Sequence, residues 1–422
     1  MAYRSLLRVP GAGFFPLGLL ARLPYATSSL ATLILVRAAS GSYAFAGLAA
    51  AAQGIANALG APVAGALADR HGHRLVGAVS ALANAGALTG LVVASHTGRP
   101  GMIAAAALAG LTQPPVGSLV RVHWSRLLHA RERPDLVPTA LSYEATADEI
   151  SFVAGPAIVG LLTSLGPTAP TVAAIALLLL ATLPFALSLA PGGVAPQEAP
   201  GNPRTALPRL PLAVMFLAMA AMGTVFGAAQ TGVTAYADDS GHPGSAGLLY
   251  ALFGIGSALA GAACAWLPAR FTLLHRYVTF AATLLLGTLT LVAGDGLHAL
   301  PAAMALAGVT VAPYLISLYA LTECLAPADR ATAALTILCA GGPLGTATGQ
   351  TLAGYLADGH GATGAFLVAP VAATAALLLA VAVFLTDTDV LRPGVRVAVG
   401  SGTPESGGMG RAKGRTHDGD ER

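Results

Sequence analysis

The sequence predicts an all-α membrane protein, with twelve transmembrane helices arranged as two pseudo-symmetric six-helix bundles. Charged residues make up only 10% of the 422 positions, well below the roughly 25% of soluble domains. Apolar runs recur along the chain, each about 20 residues long, which is the length of a helix that crosses a hydrocarbon core of about 30 Å. A stretch rich in proline, glycine and charge interrupts these runs near the middle of the chain.

Each apolar run is predicted to be a helix, because lipid offers no hydrogen-bond partner to backbone polar groups. A cleavable signal peptide is not expected, since the first run is long, contains Arg22 and leads directly into further spans. The span at 299–321 is the weakest because Pro313 interrupts it, so a count of eleven stays open. The predicted spans are 11–36, 43–67, 75–95, 101–121, 138–164, 169–190, 211–236, 245–268, 277–295, 299–321, 332–356 and 363–386.

The composition divides the chain into two halves. Residues 1–190 and 211–387 each hold six spans, a polar cytoplasmic linker covers 191–210, and a disordered cytoplasmic tail is expected from 388 to 422. The fifth helix of each half carries a Gly-Pro pair. Because proline removes a backbone donor and glycine permits close packing, both pairs are predicted bends. They are Gly155 with Pro156, and Gly342 with Pro343.

Arginine placement sets the predicted orientation, because positive residues accumulate in cytoplasmic loops. The outer loops carry only Arg37 and Arg99, which places both termini in the cytoplasm. One lysine beside abundant alanine and glycine favours a bacterial source, and therefore the bacterial inner membrane. The net charge of +3 follows from these loops and does not indicate nucleic-acid binding. The arginines of the inner loops are Arg70, Arg74, Arg121, Arg126, Arg131, Arg133, Arg204, Arg209, Arg270, Arg276 and Arg330.

The segment between the second and third spans has the pattern G-x-x-x-D-R-x-G-x-R. Gly65 lets a neighbouring helix approach closely, and Gly72 permits a tight reversal of the chain. Arg70 and Arg74 hold the loop on the cytoplasmic side. Asp69 can cap a helix or face the positive end of a nearby one.

This segment resembles the loop between helices 2 and 3 of the major facilitator superfamily. The sequence LLARLP at 19–24, and the acids that precede Gly155 and Pro156, resemble a group of actinobacterial exporters within it. The resemblance covers about residues 11 to 388. It implies secondary transport by rocking of the two halves, and it implies that Asp69 latches the outward-facing state. A simple capping role for Asp69 is the alternative.

The match to drug exporters of that superfamily is incomplete. Gly110 stands where they carry an arginine in the fourth span, and Gln113 is followed by two prolines. Ser142 and Ser151 replace glycines of the antiporter signature in the fifth span.

Ionisable residues within spans are the candidate site, because they are costly in lipid and usually face a cavity or a partner. Arg22 lies about 16 Å above the start of the first span, level with Asp148 and Glu149 on the fifth. We expect Arg22 to form an ion pair with one of these two acids, with Gln113 as an added hydrogen-bonding group. Glu144 is placed lower, near arginines of the inner surface. Two interpretations are open. In one, the ion pair only fixes helix packing. In the other, Asp148 or Glu149 binds a proton, and substrate or Arg22 competes with the proton for that acid.

The predicted function is proton-coupled efflux of a small, largely apolar compound, since the polar lining is too sparse for sugar uptake. Uptake of an organic acid or other metabolite through Arg22 is an alternative, as is a non-transporting receptor or scaffold on the same fold. The acids of the fifth span lack histidine or cysteine at ligand spacing, and no phosphate-binding loop is present. We therefore expect no enzyme activity, metal or cofactor. The expected partners are a small-molecule substrate, protons and the lipid bilayer, with the chain a monomer that binds no nucleic acid.

Overall fold

The computed structural model describes residues 13–189, 208–268, 271–293, 299–327 and 330–390, and every regular element within these ranges is helical. The all-helical fold class is thereby confirmed. Most of the predicted linker and tail lies outside the described residues. Residues 388–390, assigned to the tail by the sequence, continue the last helix.

The helices follow the predicted spans closely. In the first half they are α1 Phe14–Ser40, α2 Tyr43–His71, α3 His73–Thr97, α4 Arg99–Ala130, α5 Val137–Thr163 and α6 Ala169–Ser188. In the second half they are α7 Arg209–Asp239, α8 Ser245–Ala263, α9 Leu273–Ala293, α10 Ala299–Leu325, and one long helix, Ala331–Val390.

The long helix accounts for the difference between the observed number of spanning helices and the predicted number of twelve. The described chain has 11 apolar helices of spanning length when Ala331–Val390 is counted once. That helix has 60 residues, so a straight one would extend about 90 Å, three times the hydrocarbon thickness. Gly361 breaks it with non-helical angles, φ 61 and ψ −156. We call the two segments α11 (331–360) and α12 (362–390), each long enough to span. The weak predicted span forms a continuous helix, α10, through Pro313.

The fourth helix differs from the prediction of one span over 101–121. It consists of two segments, Arg99–Leu111 and Val116–Ala130, separated where Pro114 and Pro115 lack the N–H groups that would continue the helix. Its second segment extends beyond the predicted end, so Arg121 and Arg126 lie on a helix and not in a loop. A π-helical turn, Leu178–Thr182, interrupts α6.

The buried side chains group by half. One cluster holds residues of α7 to α12 together with Tyr43 of α2, and two others lie within α1 to α6. The halves meet where α2 packs on α11 and α5 packs on α8. These crossings require glycine. A Cβ on Gly47 would lie 2.1 Å from the carbonyl oxygen of Gln350, and one on Gly247 would lie 2.0 Å from that of Pro156.

Candidate functional site

Arg22 is the buried cation at the centre of the first half. Its Nε donates to Asp148 Oδ1 at 2.9 Å, its Nη1 donates to the carbonyl of Gly18 at 2.8 Å, and its Nη2 forms an ion pair with Glu144. All three nitrogens of the guanidinium are therefore occupied. This fits the rule that a buried charge is paired and hydrogen-bonded.

One further side chain, Arg121, completes this charge cluster, which we define as Arg22, Arg121, Glu144 and Asp148. Arg121 Nη2 donates to Asp148 Oδ2 at 2.6 Å. The indole N–H of Trp124 donates to Glu144, whose side chain is only 1% exposed. The side chains of Asp148 and Arg121 are 27% and 43% exposed, so these two members of the cluster are accessible. With two cations and two carboxylates, the cluster is charge-balanced.

Side-chain direction explains why Arg22 reaches Glu144, a contact that the sequence analysis did not predict. Long side chains on a helix point back toward its N-terminus. The Nη1 bond to Gly18, one turn earlier on α1, shows this direction. Arg22 therefore reaches one turn below its own Cα, and meets both Asp148 and the acid one turn before it on α5. Glu144 and Asp148 share a helix face at i, i+4 spacing.

A cavity of about 300 Å³ lies against the open side of the cluster. It is formed by the first half alone, between α1, α2, α4 and α5. Its polar wall includes Arg22, Arg121 and Asp148, and its apolar wall includes the rings of Tyr25 and Phe152, which meet edge to face at 5.9 Å. The remaining lining residues are Ala26, Asn57, Ala61, Pro114, Pro115, Val116, Gly117, Ser118 and Ser151.

Two predicted site residues lie apart from the cluster. Gln113 is buried in the interruption of α4, and its side chain forms no hydrogen bond with the described residues. Glu149 is exposed and has no hydrogen bond or ion pair within the described part of the chain. It lies seven residues before Pro156, on the same face of α5, and that face packs on α8. Of the two acids expected to pair with Arg22, the structure brings only Asp148 to it.

A second polar group joins the two halves deeper in the protein. Gln350 of α11 donates to Ser29 Oγ of α1 at 2.6 Å and to Gln230 Oε1 of α7 at 2.8 Å. Gln230 in turn donates to the hydroxyl of Tyr250 at 3.1 Å. Ser29 lies about 10 Å above Arg22 along α1. The sequence marks Gln350 as a polar residue in an apolar span, but its partners become visible only when the two halves are placed together.

A third polar group closes the predicted outer face. Asp358 of α11 accepts hydrogen bonds from Ser42 Oγ at 2.6 Å, from the backbone N–H of Tyr43 at 2.7 Å and from that of Ala44 at 3.0 Å. It thereby caps the N-terminus of α2 from the opposite half. The Tyr43 hydroxyl donates to Asp238 Oδ2 of α7 at 2.7 Å. We call Ser42, Tyr43, Asp238 and Asp358 the outer latch.

A family model described as Major Facilitator Superfamily matches residues 14–297 and 215–402. The chain belongs to the Major Facilitator Superfamily. No curated protein sequence matches it.

Solved structures of transporters share the fold of this superfamily member. The nucleoside transporter NupG is 18% identical with a TM-score of 0.70, over 88% of this chain and 97% of the other. A bacterial homologue of the iron transporter ferroportin in an inward-facing state is 15% identical with a TM-score of 0.67, over 88% and 98%. The POT family transporter PepTSo is 13% identical with a TM-score of 0.65, over 88% and 97%. These identities establish a transporter fold and no substrate.

The superfamily loop signature is mostly helical in this chain. Asp69 and Arg70 lie in the last turn of α2, and Gly72 adopts φ 93, a left-handed angle that favours glycine. Asp69 and Arg74 are exposed, and Asp69 has no hydrogen bond or ion pair within the described residues. A Cβ on Gly65 would meet no atom within 4 Å. Within the described residues, neither Asp69 nor Gly65 therefore shows a link to the other half.

The two Gly-Pro pairs are packing positions in this superfamily member. A Cβ on Gly155 would lie 2.8 Å from Cβ of Ala26, and one on Gly223 would lie 2.2 Å from the carbonyl oxygen of Gly342. α5 and α11 remain helical through Pro156 and Pro343. Bending at either pair stays a prediction.

Proposed function

We propose that this transporter exports a small, largely apolar compound by alternating access, coupled to protons. The observation that supports this most directly is the cavity beside the charge cluster. Its volume, about 300 Å³, lies at the small end of ligand pockets. Much of its wall is apolar, and a partly exposed acid, Asp148, lies on its polar side.

Asp148 is the acid best placed to couple protons to transport. Among the described residues it is the only acid on the cavity wall, and it links Arg22 to Arg121. Protonation would remove one negative charge from a balanced cluster and weaken both links. Glu149 is a second candidate, because it is an acid within a span and has no partner in the described residues.

The contacts between the halves support alternating access. The outer latch joins them at one end, whereas at the other end Asp69 forms no hydrogen bond or ion pair with the described residues of the second half. This arrangement fits a state open toward the predicted cytoplasm. In the opposite state the loop signature would close against the second half, with Asp69 as its latch and Gly65 allowing the close approach.

Uptake of an organic acid is the second candidate function, and the exposed guanidinium of Arg121 on the cavity wall favours it. The two functions differ in whether proton binding weakens or strengthens the binding of substrate. Exchange of a substrate for a proton requires that the two compete for binding. Cotransport of an anion with a proton requires that each favours the binding of the other.

Transport in everted membrane vesicles tests the proposal. The vesicles are energised by respiration, and a dye reports proton leakage on addition of neutral apolar compounds, organic cations, acids and sugars. We expect a neutral apolar compound to cause proton leakage in the unaltered protein. The double variant Asp148→Asn with Glu149→Gln should lose this leakage. The variant Asp69→Asn should leak more slowly while still binding the compound.

Glu323→Gln is the matched control, because Glu323 is an exposed acid on α10, away from the cavity. Full leakage in the double variant would reject coupling through these acids. Full leakage in Asp69→Asn would reject its latch role. Absence of leakage with every compound, together with measurable ligand binding, would indicate uptake by another mechanism or a receptor.

A further inference from the structure

We infer that the cavity between α1, α2, α4 and α5 binds a small monocarboxylate with an apolar, ring-sized body, and that Arg121 receives the carboxylate. This inference rests on the second candidate function, transport of an organic acid, because it narrows the substrate class that the same cavity would take. It concerns binding alone, and does not depend on the direction of transport.

The first step is that Arg121, and not Arg22, is the available cation. All three nitrogens of Arg22 are engaged by Gly18, Glu144 and Asp148. Arg121 is 43% exposed, and within the described residues its only hydrogen bond runs from Nη2 to Asp148. A guanidinium has five N–H donors in a planar fork that suits a carboxylate. Arg121 therefore retains donors that a ligand can use.

The second step concerns charge. A cation on this wall would meet two guanidinium groups, and the one acid there already bridges both of them. A dianion would need a second free cation, and the described cavity wall offers only Arg22, each of whose nitrogens already has a partner. A single negative charge can replace Asp148 on Arg121, and the cluster stays charge-balanced when Asp148 binds a proton at the same time. The ligand's carboxylate would form the charge-assisted bonds that Asp148 now forms.

The third step concerns the body of the ligand. Tyr25 and Phe152 are both exposed on the cavity wall, and they meet at right angles, so a ring can stack on one and contact the edge of the other. Ala26, Ala61 and Val116 add apolar surface. A volume of about 300 Å³ limits the ligand to roughly one ring and its substituents.

Isothermal titration calorimetry on the purified full-length protein tests this with three probes that share one ring. Benzoate, benzyl alcohol and benzylammonium differ in charge at the same position. We expect benzoate to bind most tightly. Arg121→Gln should weaken benzoate by about tenfold or more, the effect of losing a charge-assisted contact. Asp148→Asn should tighten it several-fold, because it removes the carboxylate that competes for Arg121.

Arg126→Gln is the matched control. Arg126 lies on the same segment of α4 but contacts His73 and is not part of the cavity wall, so benzoate affinity should not change. Asp148→Asn tests the inference independently if Arg121→Gln does not fold.

Two results would overturn the inference: benzyl alcohol or benzylammonium binding as tightly as benzoate, or unchanged benzoate affinity in both Arg121→Gln and Asp148→Asn. Neither outcome would affect the export of an apolar compound. Export itself fails only in the vesicle experiment, which needs no carboxylate.

Discussion

Arg22 shows how a single charge is stabilised within an apolar bundle. Three acceptors from two helices surround its guanidinium, and one of them, Glu144, is almost fully buried. Removing one partner of such a pair leaves an uncompensated buried charge, which typically costs about 3–5 kcal/mol. Because the cost comes from the charge left behind, neutralising both partners should destabilise the protein less than neutralising one.

Arg22→Ala should therefore destabilise the protein by about 3–5 kcal/mol. The thermal midpoint in detergent measures this, and the double variant Arg22→Ala with Glu144→Gln should recover part of the loss. Arg74→Ala, which changes an exposed arginine of the loop signature, serves as the control. A midpoint for Arg22→Ala equal to that of the control would contradict the assigned role of the pair.

The sequence was sufficient to predict that Arg22 pairs with an acid of the fifth span, because depth follows from the rise per residue. It left Asp148 and Glu149 as alternatives, and it did not include Glu144. Which acids pair with Arg22 depends on two features. The rotation of α5 turns Glu149 about 100° away from Asp148, and the Arg22 side chain points toward the N-terminus of α1. Gln113 does not make the expected hydrogen bond to the cluster within the described residues, for another reason. Pro114 and Pro115 interrupt α4 next to it, so counting along a regular helix no longer gives its position.

At the scale of single helices, apolar length was the reliable signal, and it located most spans to within a few residues. Apolar length did not reveal two features of the helices, the break in α4 and the division of the last long helix. The break in α4 follows from the prolines at 114 and 115, which were noted in the sequence without concluding that the helix stops there. The division of Ala331–Val390 depends on the left-handed angle of Gly361, and a glycine does not reveal its angle in the sequence.

The crossing of α2 and α11 gives a prediction at this scale. In Gly47→Ala the new methyl group would lie 2.1 Å from the carbonyl oxygen of Gln350, so the helices must separate. Overpacking of this kind costs about 1–3 kcal/mol. Since the crossing holds the halves together near the outer face, the cost should shift the balance of states by about 5- to 150-fold against the closed outer face.

Reactivity of a single cysteine at Ser29 toward an impermeant maleimide measures this shift, in a background without the three native cysteines. Labelling from the predicted outer side should increase in Gly47→Ala. Gly86→Ala is the control, because a Cβ at Gly86 would meet nothing within 4 Å. Equal labelling in the two variants would mean that this crossing does not govern closure.

At the scale of the whole molecule, the outer latch bears on the proposed movement of the two halves. Asp358 holds three donors at the start of α2, and Asp238 holds the hydroxyl of Tyr43, so two acids of the second half bind one helix end of the first. Opening the outer face must break all four hydrogen bonds together. The proposed rocking of the halves would therefore be a transition between two discrete arrangements.

Locking this latch should stop transport. Ser42 Oγ and Asp358 Oδ2 are 2.6 Å apart, so the two side chains are close enough for cysteines at these positions to be tested for cross-linking under mild oxidation. In a chain without Cys264, Cys324 and Cys339, the oxidised double variant should lose transport, and reductant should restore it. The two single-cysteine variants control for the substitutions. Undiminished transport by the cross-linked protein would show that the outer face need not open.

Trp124 gives the charge cluster an optical signal of its own. The chain has two tryptophans; Trp266 is 81% exposed, whereas Trp124 is fully buried. The Trp124 indole N–H is bonded to Glu144, whose other oxygen faces Arg22. Any rearrangement of the cluster therefore changes the electric field at one buried indole. Once Trp266 is replaced by phenylalanine, the emission of the unlabelled protein follows the state of the Arg22 pair in real time.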